Sequence, residues 1–246
     1  MSILTLAGIA ALIMTAAFVQ GVMGFGFGLV SMATLPLLIG VKASVPVVAC
    51  LSLLLNVVLL FQLRDALALP RTAPLAAGGV FGIPLGVAFL KQADPTLLLA
   101  LLGVIIIGLA IWLGRKGAVR DRPASLGVIA GFIGGILGGA FNTSGPPVVA
   151  YVGSKPWEPR EIRATLLSYF MLVSVFQLSL FVYGGLLEAE AAMTALPMAL
   201  PLALGAVFGD WLSGRLSPAR FRLLIRIGLG VLGAVMLSRS VLTWVS

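Results

Sequence analysis

The sequence predicts an all-α integral membrane protein built from two inverted-topology repeats of about five helical elements each. Three observations predict it. Of the 246 residues, 60% are apolar and 10% charged, and the mean hydropathy of +1.15 lies far outside the range of a soluble domain of this length. The charged residues divide the chain into apolar runs long enough to cross a bilayer. Motifs of the first half return in the second. Lipid offers the backbone no hydrogen-bond partner, and the ten-residue alternation of an outer-membrane barrel is absent, so the spans are read as helices.

The charge-free runs cover 1–41, 43–63, 72–90, 95–114, 123–154, 164–187 and 191–209, and a final run surrounds Arg226 near the end of the chain. The first is read as retained rather than as a signal peptide, because it lacks a basic start and continues past any cleavage site. Runs 1–41 and 123–154 are too long for one crossing, and glycine clusters interrupt both. If each is one span, the basic loops fall on both faces of the membrane. If each is two elements, the loops 62–72, 113–123, 153–163 and 209–222 share one face, leaving Lys42 and Lys91 opposite, beside Glu188 and Glu190. The positive-inside rule favours the second reading, with ten elements and both termini outside. The first two elements of each repeat are then short or re-entrant. The repeats are expected at 1–119 and 120–246, together forming one transport domain.

The internal repetition supports the division. PLAAGGVFG at 74–82 returns as PLALGAVFG at 201–209, and FQL at 61–63 returns at 176–178. FVQGVMGFGFG from Phe18 aligns with FIGGILGGAFN from Phe132, which places Gly28 opposite Asn142. An odd number of elements per repeat inverts the second copy relative to the first, a plan that puts a transport site near the midplane between the halves.

Within 123–154, Pro146 and Pro147 end the first element, because proline lacks the N–H of a continuing helix and disfavours helical geometry before it. A short helix restarts there, with Asn142, Thr143 or Ser144 expected to cap its exposed N–H groups. From Pro147 to Gly153 it spans only about 10 Å at 1.5 Å per residue. Its N-terminus therefore lies deep in the membrane, offering donors and partial positive charge to an anion. Asn142, Thr143, Ser144 and Gly145 are the expected binding group of the second half, and Gly24, Gly26 and Gly28 approach from the first. The glycines also fit a second reading, since small residues four apart bring helices together. Gln20, Asn56 and Tyr169 are either site residues or helix-to-helix hydrogen-bonding groups. Gln62 and Gln177, at matching repeat positions, either border opposite gates or bond between helices. Arg163, beside Glu161, is placed to attract anions to the inner mouth, although orientation alone also explains it.

The composition excludes other classes. The net charge of +8 resides in short loops, where it orients a membrane protein, so no nucleic-acid partner is expected. One cysteine, Cys50, and no histidine argue against a metal, haem or iron–sulfur cofactor and against a disulfide framework. An enzyme would need a nucleophile with a base, and Ser144 and Cys50 have no partner for that role. No Asp or Glu falls inside the charge-free runs, so the carboxylate relay of a proton-coupled carrier is absent. The membrane potential alone supplies about 2.3 kcal/mol per charge per 100 mV to an anion leaving a cell.

The paired segments GVMGFGFGLVSMATLP and GGILGGAFNTSGPPVVAY, with the FQL repeats and the span pattern, resemble the TauE/SafE family of membrane permeases, the sulfite exporter family. The resemblance covers essentially the whole chain. It implies a multi-pass protein of a prokaryotic inner membrane that transports a small inorganic or organic sulfur-containing anion such as sulfite or sulfoacetate. Export is the expected direction, with an anion channel or an uptake permease as the alternative. The lipid bilayer is the expected surrounding partner, and a homodimer is left open.

Overall fold

The computed structural model describes residues 3–62, 69–112, 122–187, 193 and 195–213. Among these the chain is helical and contains no strand. The elements are α1 (Ile3–Met23), α2 (Phe27–Thr34), α3 (Pro36–Ile39), α4 (Val41–Gln62), α5 (Leu69–Gln92), α6 (Pro95–Trp112), α7 (Ala124–Phe141), α8 (Gly145–Val152), α9 (Pro159–Gly184) and, after a 3-10 turn at Leu196–Met198, α10 (Ala199–Ser213). Six segments are long and apolar enough to cross a membrane: α1, α4, α5, α7, α9 and the stretch Leu196–Ser213. Arg226 and the final run lie outside the described residues, as do Glu188 and Glu190.

Both long runs are broken where the glycine clusters and prolines predict. Of the two opening elements in each half, only the second is short. α1 has 21 residues and α7 has 18, whereas α2 and α8 have 8 each.

Two sets of charged contacts mark the ends of the helical body. At one end Arg71 pairs with Glu161 at 2.7 Å, its guanidinium lies 5.2 Å from the Trp157 ring centre, and Lys155 donates to the Arg122 carbonyl. Arg163 bonds Asp210 at 2.6 Å and donates to the Ser213 hydroxyl at 3.4 Å. The described parts of all four basic loops or their flanking helices thus meet at this basic end. At the other end Lys42 donates to the Lys91 carbonyl at 3.4 Å, and Lys91 donates to the Gly184 carbonyl at 3.0 Å. The division agrees with splitting both long runs.

Close helix packing is set by the repeated glycine motif. On α5, a Cβ at Gly78 would lie 1.9 Å from the Val128 carbonyl oxygen of α7, and one at Gly82 would lie 2.1 Å from that of Phe132. On α10, a Cβ at Gly205 would lie 2.2 Å from the Met14 carbonyl oxygen of α1, and one at Gly209 would lie 2.4 Å from that of Phe18. No side chain fits at any of the four positions, so backbone meets backbone. Phe18 and Phe132 are the residues that the sequence repeat aligns, so matching residues make matching contacts. The registers also fix direction. α1 runs alongside α10 toward the basic end, and α7 runs alongside α5 away from it.

Candidate functional site

Where α1 stops, Gly24 (φ 78°) and Gly26 (φ 116°) take left-handed backbone that side chains resist. The Gly24 N–H closes α1 on the Gln20 carbonyl at 2.7 Å. α2 then begins at Phe27, whose N–H donates to Gln20 Oε1 at 3.2 Å. Gly28 and Leu29 follow in the first turn of α2, where N–H groups have no partner within the helix.

Where α7 stops, Asn142 takes φ 53° and is the one described non-glycine residue with positive φ. Asparagine tolerates this conformation better than most residues. Its N–H bonds the Gly138 carbonyl at 2.8 Å, and its side-chain amide donates to the Val45 carbonyl of α4 at 2.7 Å. The Thr143 hydroxyl reaches the Leu137 carbonyl at 3.4 Å. Ser144 holds the N-cap position of α8, but no side-chain capping bond forms there. The expected capping by Asn142, Thr143 or Ser144 is therefore corrected. Asn142 is committed to α4, Thr143 points back to α7, and Pro146 and Pro147 have no N–H to cap. For the same reason the helix start offers few donors after Ser144: Gly145 retains its N–H, and the next belongs to Val148.

The two breaks touch. A Cβ at Gly28 would lie 1.8 Å from the Asn142 carbonyl oxygen, so the positions aligned by the repeat meet backbone to backbone. Beside this crossing is a cleft of about 40 Å³. One water-sized group needs roughly 10–15 Å³ of such space, so the volume suits a small ion. Gln20, Gly26, Gly28 and Leu29 line it from the first break, and Gly138, Asn142, Thr143, Ser144 and Gly145 from the second. α4 adds Ser52 and Asn56, and α9 adds Phe170, Val173, Ser174 and Gln177. None of these lining residues is charged.

A buried polar chain crosses the cleft. Gln20 Nε2 donates to Asn56 Oδ1 at 2.9 Å, and Asn56 Nδ2 donates to Ser174 Oγ at 3.3 Å. Gln177 Nε2 donates to the Gly138 carbonyl at 2.9 Å and is 1% exposed. Gln177 therefore lines the cleft and also bonds between helices α9 and α7. Tyr169 is away from the lining and donates its hydroxyl to the Gly131 carbonyl of α7 at 2.9 Å.

Two expected site residues stand apart. Gly24 faces the Arg163 side chain, whose Cγ would lie 3.0 Å from a Cβ there. Gln62 ends α4, and its side chain lies outside the described residues. Three contributors were not singled out from sequence. Ser174 could have been found at helical spacing ahead of Gln177. Ser52 precedes Asn56 by one turn of α4 in the same way. Asp210, the partner of Arg163, adjoins the last charge-free run but gave no signal of pairing.

The family model described as "Sulfite exporter TauE/SafE" matches residues 9–236. A protein of Cupriavidus necator, described as "Probable sulfite/organosulfonate exporter TauE", is 29% identical over 261 residues, covering 99% of this chain and 98% of that protein. No solved structure matches the chain. With the family model spanning both breaks, the cleft between them and the helices that carry the repeated glycine motif, the chain belongs to the TauE/SafE sulfite exporter family.

Proposed function

We propose that this protein exports a small sulfur oxyanion or organosulfonate through the cleft between its two broken helices. The meeting of Gly28 with Asn142 beside a neutral, polar-lined cleft carries this reading. The anion is held by the N–H groups of Gly28 and Leu29 from one side. The Gly145 N–H and the Ser144 hydroxyl hold it from the other. Neutral donors suit a carrier, because they stabilise an anion without the desolvation cost of a fixed buried charge. The two halves, 1–119 and 120–246, act as inverted repeats with the cleft near the midplane. The matching glycine contacts and the opposite directions of α1 and α7 support that arrangement.

The basic end faces the cytoplasm of a prokaryotic cell, in keeping with the positive-inside rule, and both termini face outward. No carboxylate lines the cleft, so the outward driving force is the membrane potential, about 2.3 kcal/mol per charge per 100 mV.

Purified protein in vesicles loaded with sulfite, sulfoacetate or chloride tests the proposal under an imposed inside-negative potential. Sulfite or sulfoacetate should leave faster than from protein-free vesicles, and faster still as the potential grows. Retention of both at the protein-free rate would overturn the function. In a Cys50→Ser background on intact cells, an impermeant thiol reagent should label Lys91→Cys and spare Lys155→Cys. The reverse pattern would overturn the orientation.

A further inference from the structure

Arg163 is bound unlike a purely structural arginine. Its side chain is 19% exposed and joins three helices beside the first break. From α9, one terminal nitrogen reaches both Asp210 Oδ1 of α10 at 2.6 Å and the Gly21 carbonyl of α1 at 2.7 Å. The other donates to Ser213 Oγ at 3.4 Å. Nε is buried without a hydrogen-bond partner. Asp210 thus meets the guanidinium at a single nitrogen. A carboxylate placed only to hold helices gains most by bridging two donors of the fork, and an orphaned buried donor is costly. An oxyanion that displaced Asp210 could bridge Nε and the terminal nitrogen that Asp210 now occupies.

Its placement fits that role. Arg163, Phe170, Ser174 and Gln177 fall at helical spacing on one face of α9, and the last three line the cleft. Arg163 lies about 10 Å nearer the basic end than Phe170, at 1.5 Å per residue. Leu166 and Leu167, 1% and 0% exposed, occupy the turn between them. The order along α9 is therefore a cation, an apolar turn and the neutral cleft. Gly24 leaves the room in which the arginine stem packs against the break.

We propose that Arg163 is an oxyanion-binding residue at the basic-end mouth and that Asp210 is its displaceable counter-ion. In the unloaded protein the pair holds α1, α9 and α10 together. An incoming sulfite or sulfonate takes the guanidinium, including Nε, and sets its own negative charge beside Asp210. Like charges at that distance repel, so the anion loosens the contact between α9 and α10. The inference rests on reading the chain as an anion exporter and adds to it the residue pair that senses the anion.

The opposed chemistry of the two partners gives the test. Full-length purified protein is titrated calorimetrically with sodium sulfite as wild type, Arg163→Gln and Asp210→Asn. Loss of a charge-assisted donor set should weaken binding about tenfold or more. Removal of the competing carboxylate should tighten it by about threefold, since the amide keeps the shape without the charge. Should Arg163→Gln not fold, Arg163→Lys keeps the charge but loses the fork, and weaker binding is again expected. A pair that only holds helices would lower thermal stability in both variants and leave affinity unmoved or shifted in one direction, which would overturn the proposal. Absence of sulfite binding by the wild type would overturn it as well. Failure of the exporter reading shows separately, as sulfite retained by wild-type vesicles, and opposed shifts in affinity would survive that result.

Discussion

At the first break the chain turns on Gly24 and Gly26 and enters α2 through Phe27, Gly28 and Leu29. At the second it turns on Asn142 and enters α8 through Gly145, Pro146 and Pro147. The backbone performs similar work in both, since a left-handed residue ends a long helix and an eight-residue helix restarts in the interior. The chemistry left available differs. Glycine removes side chains and leaves backbone N–H groups, whereas proline removes N–H groups and leaves neighbouring hydroxyls to take their place. A repeat can therefore preserve its backbone geometry while its two copies leave different groups free, main-chain N–H groups at the first break and mainly a hydroxyl at the second.

The largest expected effect separates the breaks by space alone. Gly28→Ala places a Cβ 1.8 Å from the Asn142 carbonyl oxygen, an atom of backbone that has no rotamer to yield. The cost should reach about 3 kcal/mol or more, the upper part of the overpacking range, and transport should be lost. Gly145→Ala meets nothing nearer than a Phe25 ring carbon at 3.6 Å, an ordinary contact, and should fold and transport normally. Thermal unfolding and efflux of both variants would check this. A tolerated Gly28→Ala would remove the crossing on which the site is built.

The next effect concerns how each break is tied down. Gln20 is used at both ends of its amide, accepting from the Phe27 N–H and donating to Asn56. Gln20→Ala would strand two buried polar groups and should cost about 1–3 kcal/mol of stability. Gln177→Ala strands one carbonyl, that of Gly138, which can still accept from the Asn142 N–H, so its cost should lie nearer 1 kcal/mol. Denaturation in detergent with matched controls measures both. Equal costs would mean that the polar chain through Asn56 adds nothing.

Much of this was legible in the sequence because it follows from covalent chemistry. Prolines at 146 and 147 suit the first turn of a helix, where no partner is needed for the missing N–H, and charge-free runs that are too long for one crossing must break. The repeated PLAAGGVFG and PLALGAVFG segments mark close packing, but not the helices against which they pack. That pairing depends on tertiary folding across the halves, as does the bond from Asn142 to Val45, and the Arg163 and Asp210 pair depends on tertiary folding within the second half. The capping expectation failed for a local reason. Asn142, Thr143 and Ser144 adjoin the helix start in sequence, but the left-handed turn at Asn142 directs that side chain to α4.

The smallest effect bears most directly on how the anion is held at the second break. Ser144 is 7% exposed, lines the cleft and makes no capping bond, so its hydroxyl has no structural duty at the start of α8. Asn142, by contrast, carries the turn and the tie to α4. Ser144→Ala should therefore leave the unfolding temperature unchanged and weaken sulfite binding by about 1 kcal/mol, or up to about 3 if the bond to the anion is charge-assisted. Asn142→Ala should do the opposite, lowering stability through a left-handed residue that alanine resists and the lost tie to the Val45 carbonyl of α4. Calorimetric titration beside thermal unfolding separates the two outcomes. If Ser144→Ala lowers stability and leaves affinity intact, the side-chain contribution is wrong, and the donors must be sought at the backbone N–H groups of Gly28, Leu29 and Gly145.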